Sequence, residues 1–414
     1  MTNPTQETPP VTLKRALGPV QVTLYGMGTM LGAGIYALVG EMAGMAGYLA
    51  PLAFLLAAAL ALLTALSFAE LAARFPRSAG TALYVRAGFN SRRLGIGVGL
   101  VVALSGIVSA GALTNAFIGY LGQFITLERE VALALTVAGI TLIAIWGIAE
   151  SVTIAALITL IEVGGLLVIL AVATGPAIDG AAQISMTAGA PDAGLAAGLF
   201  TATVLAFYAF IGFEDMVNLA EEVKNPRKAL PLSVITALLL TAALYLTVSL
   251  AAVLVVPPGE LAASGAPLSA VYAAATGQPA TFLSVIGLVA IINGAIVQLI
   301  MAARLTYGMA RRGWLPAIFG HLLAATRTPV IATLAGAALI LAFALAFDLS
   351  ALAQATALML LTVFALVNAA LLRLKLGRGD RGPADGFRIP ALVPALGALT
   401  SLAMVGAQIW RWLG

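Results

Sequence analysis

Long apolar runs separated by short polar links recur along the whole chain. A helix needs about 20 mostly apolar residues to cross a bilayer. The pattern predicts eleven such segments, near 18–46, 49–72, 83–121, 131–148, 152–174, 195–222, 231–255, 279–308, 329–347, 350–373 and 391–412. The first turns of the third, Tyr84 to Arg93, are expected at the membrane interface. Two segments are interrupted where a helix has no reason to break. The first contains Leu31-Gly32-Ala33-Gly34-Ile35-Tyr36, and the sixth contains Phe210-Ile211-Gly212-Phe213-Glu214-Asp215. Unwound backbone survives at membrane depth only where it lines a cavity or is buried in protein. A Gly-interrupted span in each half of a chain points to a transporter's substrate site.

Composition agrees with that class. The 414 residues are 61% hydrophobic and 9% charged, with a mean hydropathy of +1.06, whereas a soluble domain carries roughly 25% charged residues. The chain has no Cys, which excludes disulfides and thiol chemistry, and its single His, His321, makes a His-metal cluster untenable. No nucleophile–base pair, metal cluster or phosphate loop is visible, so neither an enzyme nor a cofactor is expected. Gly95-Ile96-Gly97-Val98-Gly99 reads as a helix-packing surface. Met1 to Val11 is polar and Pro-rich without a signal-type apolar core. Residues 1–17 are read as a cytoplasmic tail, its start disordered.

The net charge of +4 is a matter of orientation rather than of nucleic acid. With the N-terminus in the cytoplasm, 19 of the 21 Lys and Arg residues fall on that side, and only Arg129 and Arg411 fall outside. Positive charge is expected to favour cytoplasmic loops. An odd number of spans then puts Gly414 outside, in a multi-pass protein of the inner (plasma) membrane. The same alternation gives spans 1–5 and 6–10 opposite orientations. This predicts an inverted repeat of residues 18–174 and 195–373, with span 391–412 additional.

Four motifs carry a family resemblance. They are Gly32-Ala33-Gly34-Ile35-Tyr36; Glu70-Leu71 followed by Pro76-Arg77-Ser78-Ala79-Gly80 and Tyr84; Phe213-Glu214 with Glu221-Glu222-Val223-Lys224-Asn225-Pro226; and Arg304, Tyr307, Met309-Ala310-Arg311, Gly313 and Pro316. Each is weak alone. In order, across the ten-span core, they resemble the amino acid–polyamine–organocation (APC) permeases. The resemblance implies an all-α integral membrane protein of the LeuT-type five-plus-five fold, with discontinuous helices 1 and 6. It also implies secondary transport of amino acids or related amines.

A helix N-terminus at the first break offers free N–H groups and a positive dipole end to a carboxylate. Carbonyls freed around both breaks offer acceptors to an ammonium. The expected substrate-binding residues are Leu31, Gly32, Ala33, Gly34, Ile35, Tyr208, Ala209, Ile211 and Gly212, with Asn293 of the eighth span. Close helix packing is the competing account of the small residues. The aligned sixth-span motif places an aromatic over the substrate. This makes Tyr208 the expected gate, with Phe207 and Phe210 as alternatives and Glu214 as a helix cap and possible pH-responsive gate. Core packing explains the aromatics equally well.

Glu162 lies far from any span end, where an ionisable group costs roughly 2.5–3.5 kcal/mol and is a functional hypothesis by default. Many relatives have a Lys at the matching position, so this chain reverses the sign. A carboxyl there can carry a proton, help ligate Na⁺, meet an amine, or bridge two helices. Gln298 is a further mid-span polar group, and Gln354, near the start of span 10, is expected to line the extracellular path. Glu41 and Glu70 lie nearer span ends, and Glu70 is read as structural. The reading is alternating-access transport of an amino acid or amine, coupled to H⁺. Na⁺ coupling and amine or polyamine exchange are the alternatives. A pore would be expected to carry a filter or charged ring, and neither is visible. The expected partners are the substrate, H⁺ or Na⁺ and the lipid bilayer, with no protein partner evident.

Overall fold

A computed structural model describes residues 15–32, 34–76, 80–146, 152–185, 193–323, 326, 328–377 and 386–413. Ala33 and residues 1–14 of the expected tail lie outside the described residues. All the elements described are helical. They are α1 (Pro19–Leu31), α2 (Ile35–Ala46), α3 (Ala50–Arg74), α4 (Gly80–Phe89), α5 (Arg92–Leu121), α6 (Arg129–Trp146), α7 (Val152–Ser185) and α8 (Ala193–Ala209). After a 3-10 helix at Phe213–Leu219 come α9 (Pro226–Val255), α10 (Pro258–Ala263), α11 (Pro267–Thr276), α12 (Thr281–Arg311), α13 (Val330–Ala346), α14 (Leu349–Leu376) and α15 (Leu392–Leu413).

Among the described residues, nine helical stretches are long and apolar enough to cross a membrane, and Val330–Ala346 is a shorter apolar helix. One of the nine, Ile35–Arg74, joins α2 to α3. It therefore holds the second half of the first predicted span and all of the second. All eleven predicted segments are present, the first, third and sixth in two pieces.

Local chemistry explains two departures. The third segment is not one helix reaching the interface. Asn90 turns left-handed with φ 51°, and the Ser91 hydroxyl caps α5 by accepting from the Leu94 N–H at 3.3 Å. The second half of the sixth span is a seven-residue 3-10 helix.

The packing pairs the first four spans with their counterparts five spans later. α2 lies on α8 and α1 on the Phe213–Leu219 helix; α3 lies on α9, α5 on α12 and α6 on α13. The fifth helix of each half crosses to the broken span of its own half, α7 to α1 and α14 to α8. That arrangement is the five-plus-five architecture, and α15 is added against α14 and α3.

Buried polar contacts fix its seams. The Ser67 hydroxyl donates to Asn368 Oδ1 at 2.6 Å, and Asn368 Nδ2 donates to the Thr64 hydroxyl at 3.0 Å. Such contacts join helices where the hydrophobic effect cannot. At the end carrying the basic loops, Glu70 is fully buried and pairs with Arg74 at 2.6 Å and Lys375 at 2.8 Å. Its other oxygen accepts from the Ile389 N–H at 2.8 Å, which ties in the approach to α15. Removing one partner of a buried ion pair costs about 3–5 kcal/mol. Glu70→Ala is therefore expected to lower the detergent-solubilised unfolding midpoint sharply; a midpoint equal to the parent's would refute that role.

Ahead of α1, the main chain of Ala16 and Leu17 donates to the Glu222 carbonyl at 2.9 and 3.0 Å. Lys224 returns a bond to the Leu17 carbonyl at 2.9 Å. This parallel bridge joins the entry to the first broken span to the exit from the second, at the basic end.

Candidate functional site

The two breaks face each other across the centre of the bundle. In the first, Gly32 donates to the Gly28 carbonyl and Gly34 to the Leu31 carbonyl, both at 3.2 Å. The amides of Gly32 and Gly34 and the carbonyl of Leu31 are thus engaged within the break. The amides left without an intrahelical partner are those opening α2, at Ile35, Tyr36 and Ala37. In the second break, Phe210 and Ile211 donate to the carbonyls of Phe207 and Tyr208 at 3.1 and 3.0 Å. Gly212 has φ 124°, where a side chain is strained, and a Cβ there would sit 2.8 Å from the Thr29 hydroxyl. The Thr29 hydroxyl also spans the breaks, its proton shared between the Gly26 carbonyl at 2.9 Å and the Gly212 carbonyl at 3.2 Å.

Sequence reasoning missed Tyr245 of α9. Its hydroxyl donates to the carbonyl of Met30 at 2.7 Å and to that of Ala209 at 3.1 Å, one from each break. The ring stands between Phe54 and Phe210, with centroids 5.1 and 5.2 Å away. A Cβ on Gly34 would overlap the hydroxyl. Two further tyrosines tie the site together. Tyr36 donates to the Glu162 carbonyl at 2.8 Å, and Tyr120 donates to the Tyr36 carbonyl at 2.8 Å. A tyrosine buried at mid-span must find an acceptor. That requirement was the available signal.

Glu162 sits on α7 beside the first break and is 1% exposed. Neither carboxyl oxygen has a hydrogen-bond partner among the described residues. One turn earlier, the Thr159 hydroxyl packs where Gly28 leaves room, which brings α7 close to α1.

Tyr208 is buried and shares a 2.9 Å hydrogen bond with Ser109 of α5. Phe207 and Phe210 are also buried; Phe207 packs on Phe364 of α14. Glu214 accepts from the Gly212 N–H at 2.9 Å, so it caps the 3-10 helix. Ser109 also lines a cavity of about 20 Å³, with Ser105, Glu214, Asp215, Gln298 and Thr356 among others. That is roughly room for one water. Farther along α2 and α5, a cavity of about 560 Å³ is lined by Glu41, Asn115, Tyr120, Arg129 and Asp348 among others. This volume falls in the range of small-molecule pockets.

Asn293 is half-buried. The α12 residue that meets the first break is Ala290, whose carbonyl oxygen would be 2.8 Å from a Cβ on Gly32. Gln354 receives a 3.3 Å hydrogen bond from Gln408 of α15. Arg129 donates to the Ala344 carbonyl at 2.8 Å and to Asn115 at 3.0 Å, capping α13.

Residues 17–411 match the family described as Amino acid permease. An uncharacterized transporter of Mycobacterium tuberculosis is 31% identical over 408 residues, covering 96% of this chain and 87% of that protein. The branched-chain amino acid permease BcaP of Bacillus subtilis is 29% identical, covering 95% of this chain and 88% of its own length. Cationic amino acid transporter 4, vacuolar, of Arabidopsis thaliana is 29% identical over 88% of this chain and 64% of its own length.

Proposed function

Because this chain belongs to the amino acid permease family, an APC superfamily group, we propose that it is a secondary active transporter of amino acids, working by alternating access with proton coupling. The observation that carries this reading is the meeting of two helix breaks beside a buried, unpartnered carboxyl. The substrate carboxylate is received by the amides opening α2, where the helix dipole adds to the attraction. The ammonium is received by the carbonyls of Met30 and Ala209. Gly34 admits the substrate to the backbone, and Tyr208 covers it. Gly32, Ala33, Ile35, Ile211 and Gly212 shape the same cradle.

Glu162 is the coupling group in this reading. An unpaired carboxylate buried among helices is costly. Uptake of a proton removes the charge, and release restores it when the site opens to the other side. A transporter that loads its carboxyl and its substrate together moves both.

A second reading has one observation in its favour. The Glu162 carboxyl, the Tyr36 and Tyr245 hydroxyls and the break carbonyls are hard oxygen ligands that suit Na⁺ as well as H⁺. Flux of radiolabelled leucine and lysine into reconstituted vesicles separates the two. Accumulation driven by a pH gradient without Na⁺ is expected. Accumulation that needs a Na⁺ gradient would replace proton coupling by sodium coupling, and flux by exchange alone would remove both.

A further inference from the structure

The Tyr245 hydroxyl combines two functions at the junction of the breaks. Its single proton is shared between the Met30 and Ala209 carbonyls, at 2.7 and 3.1 Å, and its oxygen stands against Gly34, where α2 opens. A substrate amino acid presents the same pair of functions: N–H donors for carbonyls and an oxygen for the amides opening α2. Both cannot occupy one place. We propose that the Tyr245 hydroxyl holds the ammonium seat of the empty site, and that the incoming amino acid displaces it.

This rests on the breaks being the substrate site. Carbonyls freed from a helix cannot be left unpaired at membrane depth without cost. Tyr245 supplies their donor while no substrate is present, and a substrate ammonium supplies it afterwards. The hydroxyl oxygen is rigid with its ring, so displacement swings the ring as a whole in the slot between Phe54 and Phe210. Displacement also sets specificity. An amino acid replaces every bond that Tyr245 gives up. The matching 2-oxo acid has a carboxylate but no ammonium, so it would leave both carbonyls bare and is excluded.

The test is equilibrium binding of radiolabelled leucine, alanine and lysine to the purified protein and to Tyr245→Phe. The variant keeps the ring and loses the donor that substrate must displace. Whichever probe the parent binds should bind the variant about three- to tenfold more tightly, the range set by one net hydrogen bond. Equal or weaker binding overturns the proposal. A parent that binds none of the three rejects the substrate-site reading itself, whatever the variant does. Should the variant fail to fold, 3-fluorotyrosine placed at position 245 of the parent gives a second readout. Its fluorine resonance should move on saturation with the bound amino acid and stay still with the 2-oxo acid. A resonance unmoved by the amino acid overturns displacement.

Discussion

Gly34→Val is expected to abolish uptake while leaving the protein folded and monodisperse. A Cβ at this position would overlap the Tyr245 hydroxyl and sit 3.0 Å from the Met30 carbonyl oxygen. Relieving the overlap forces Tyr245 off both carbonyls with no ammonium to take its place. The Tyr245 hydroxyl is bonded to two carbonyls, its ring is packed between two phenylalanines, and the Met30 carbonyl belongs to α1. Inserted methyl groups in a well-packed site cost about 1–3 kcal/mol where the surroundings can adjust. Here the added atoms also fill the space a carboxylate and ammonium need, so the loss in affinity should be about a hundredfold or more. Binding of the radiolabelled substrate to purified variant checks it. Parental affinity in Gly34→Val would move the substrate site away from the breaks.

Glu162→Gln has the second large effect, and of a different kind. The amide has nearly the volume of the carboxyl, so the packing against α1 is kept, but it carries no exchangeable charge. Gradient-driven accumulation should fall to the equilibrium level. Exchange of labelled for unlabelled substrate across the same vesicles, which needs no net proton movement, should persist. Accumulation at the parental level in Glu162→Gln would show that the proton, if one moves, travels elsewhere. Loss of exchange together with accumulation would assign Glu162 to binding or folding instead.

The elements of this fold could be read from residues because the bilayer imposes a length and an apolar composition on each one. The two breaks were equally legible: Gly32, Gly34 and Gly212 stand where a continuous helix would not need them. What escaped was whatever depends on helix phase. Along α12 almost every position is apolar, so its rotation about its own axis is set by packing and not by sequence. Ala290 meets the first break, and Asn293 lies one turn farther along the same helix. Tyr245 escaped for a related reason. Its partners Met30 and Ala209 are 215 and 36 positions away, and only the fold brings the three together. The division of the third segment was written in Asn90 and Ser91, but a polar pair near a membrane surface is as compatible with an interfacial helix as with a turn. Glu162 was legible as a misplaced charge. Its lack of partners was not, since a single sequence does not say which helix a carboxyl faces.

The bridge between Ala16–Leu17 and Glu222–Lys224 bears on how such a machine moves. It lies where the chain enters the first broken span and leaves the second, and it is made of main-chain bonds that tolerate any side chain. A force that draws one of these segments aside at the basic end draws the other with it. Mechanically the two broken spans share a single handle there. Opening on that side is then a movement of one yoked body against the remaining helices, rather than two gates that must be timed to each other.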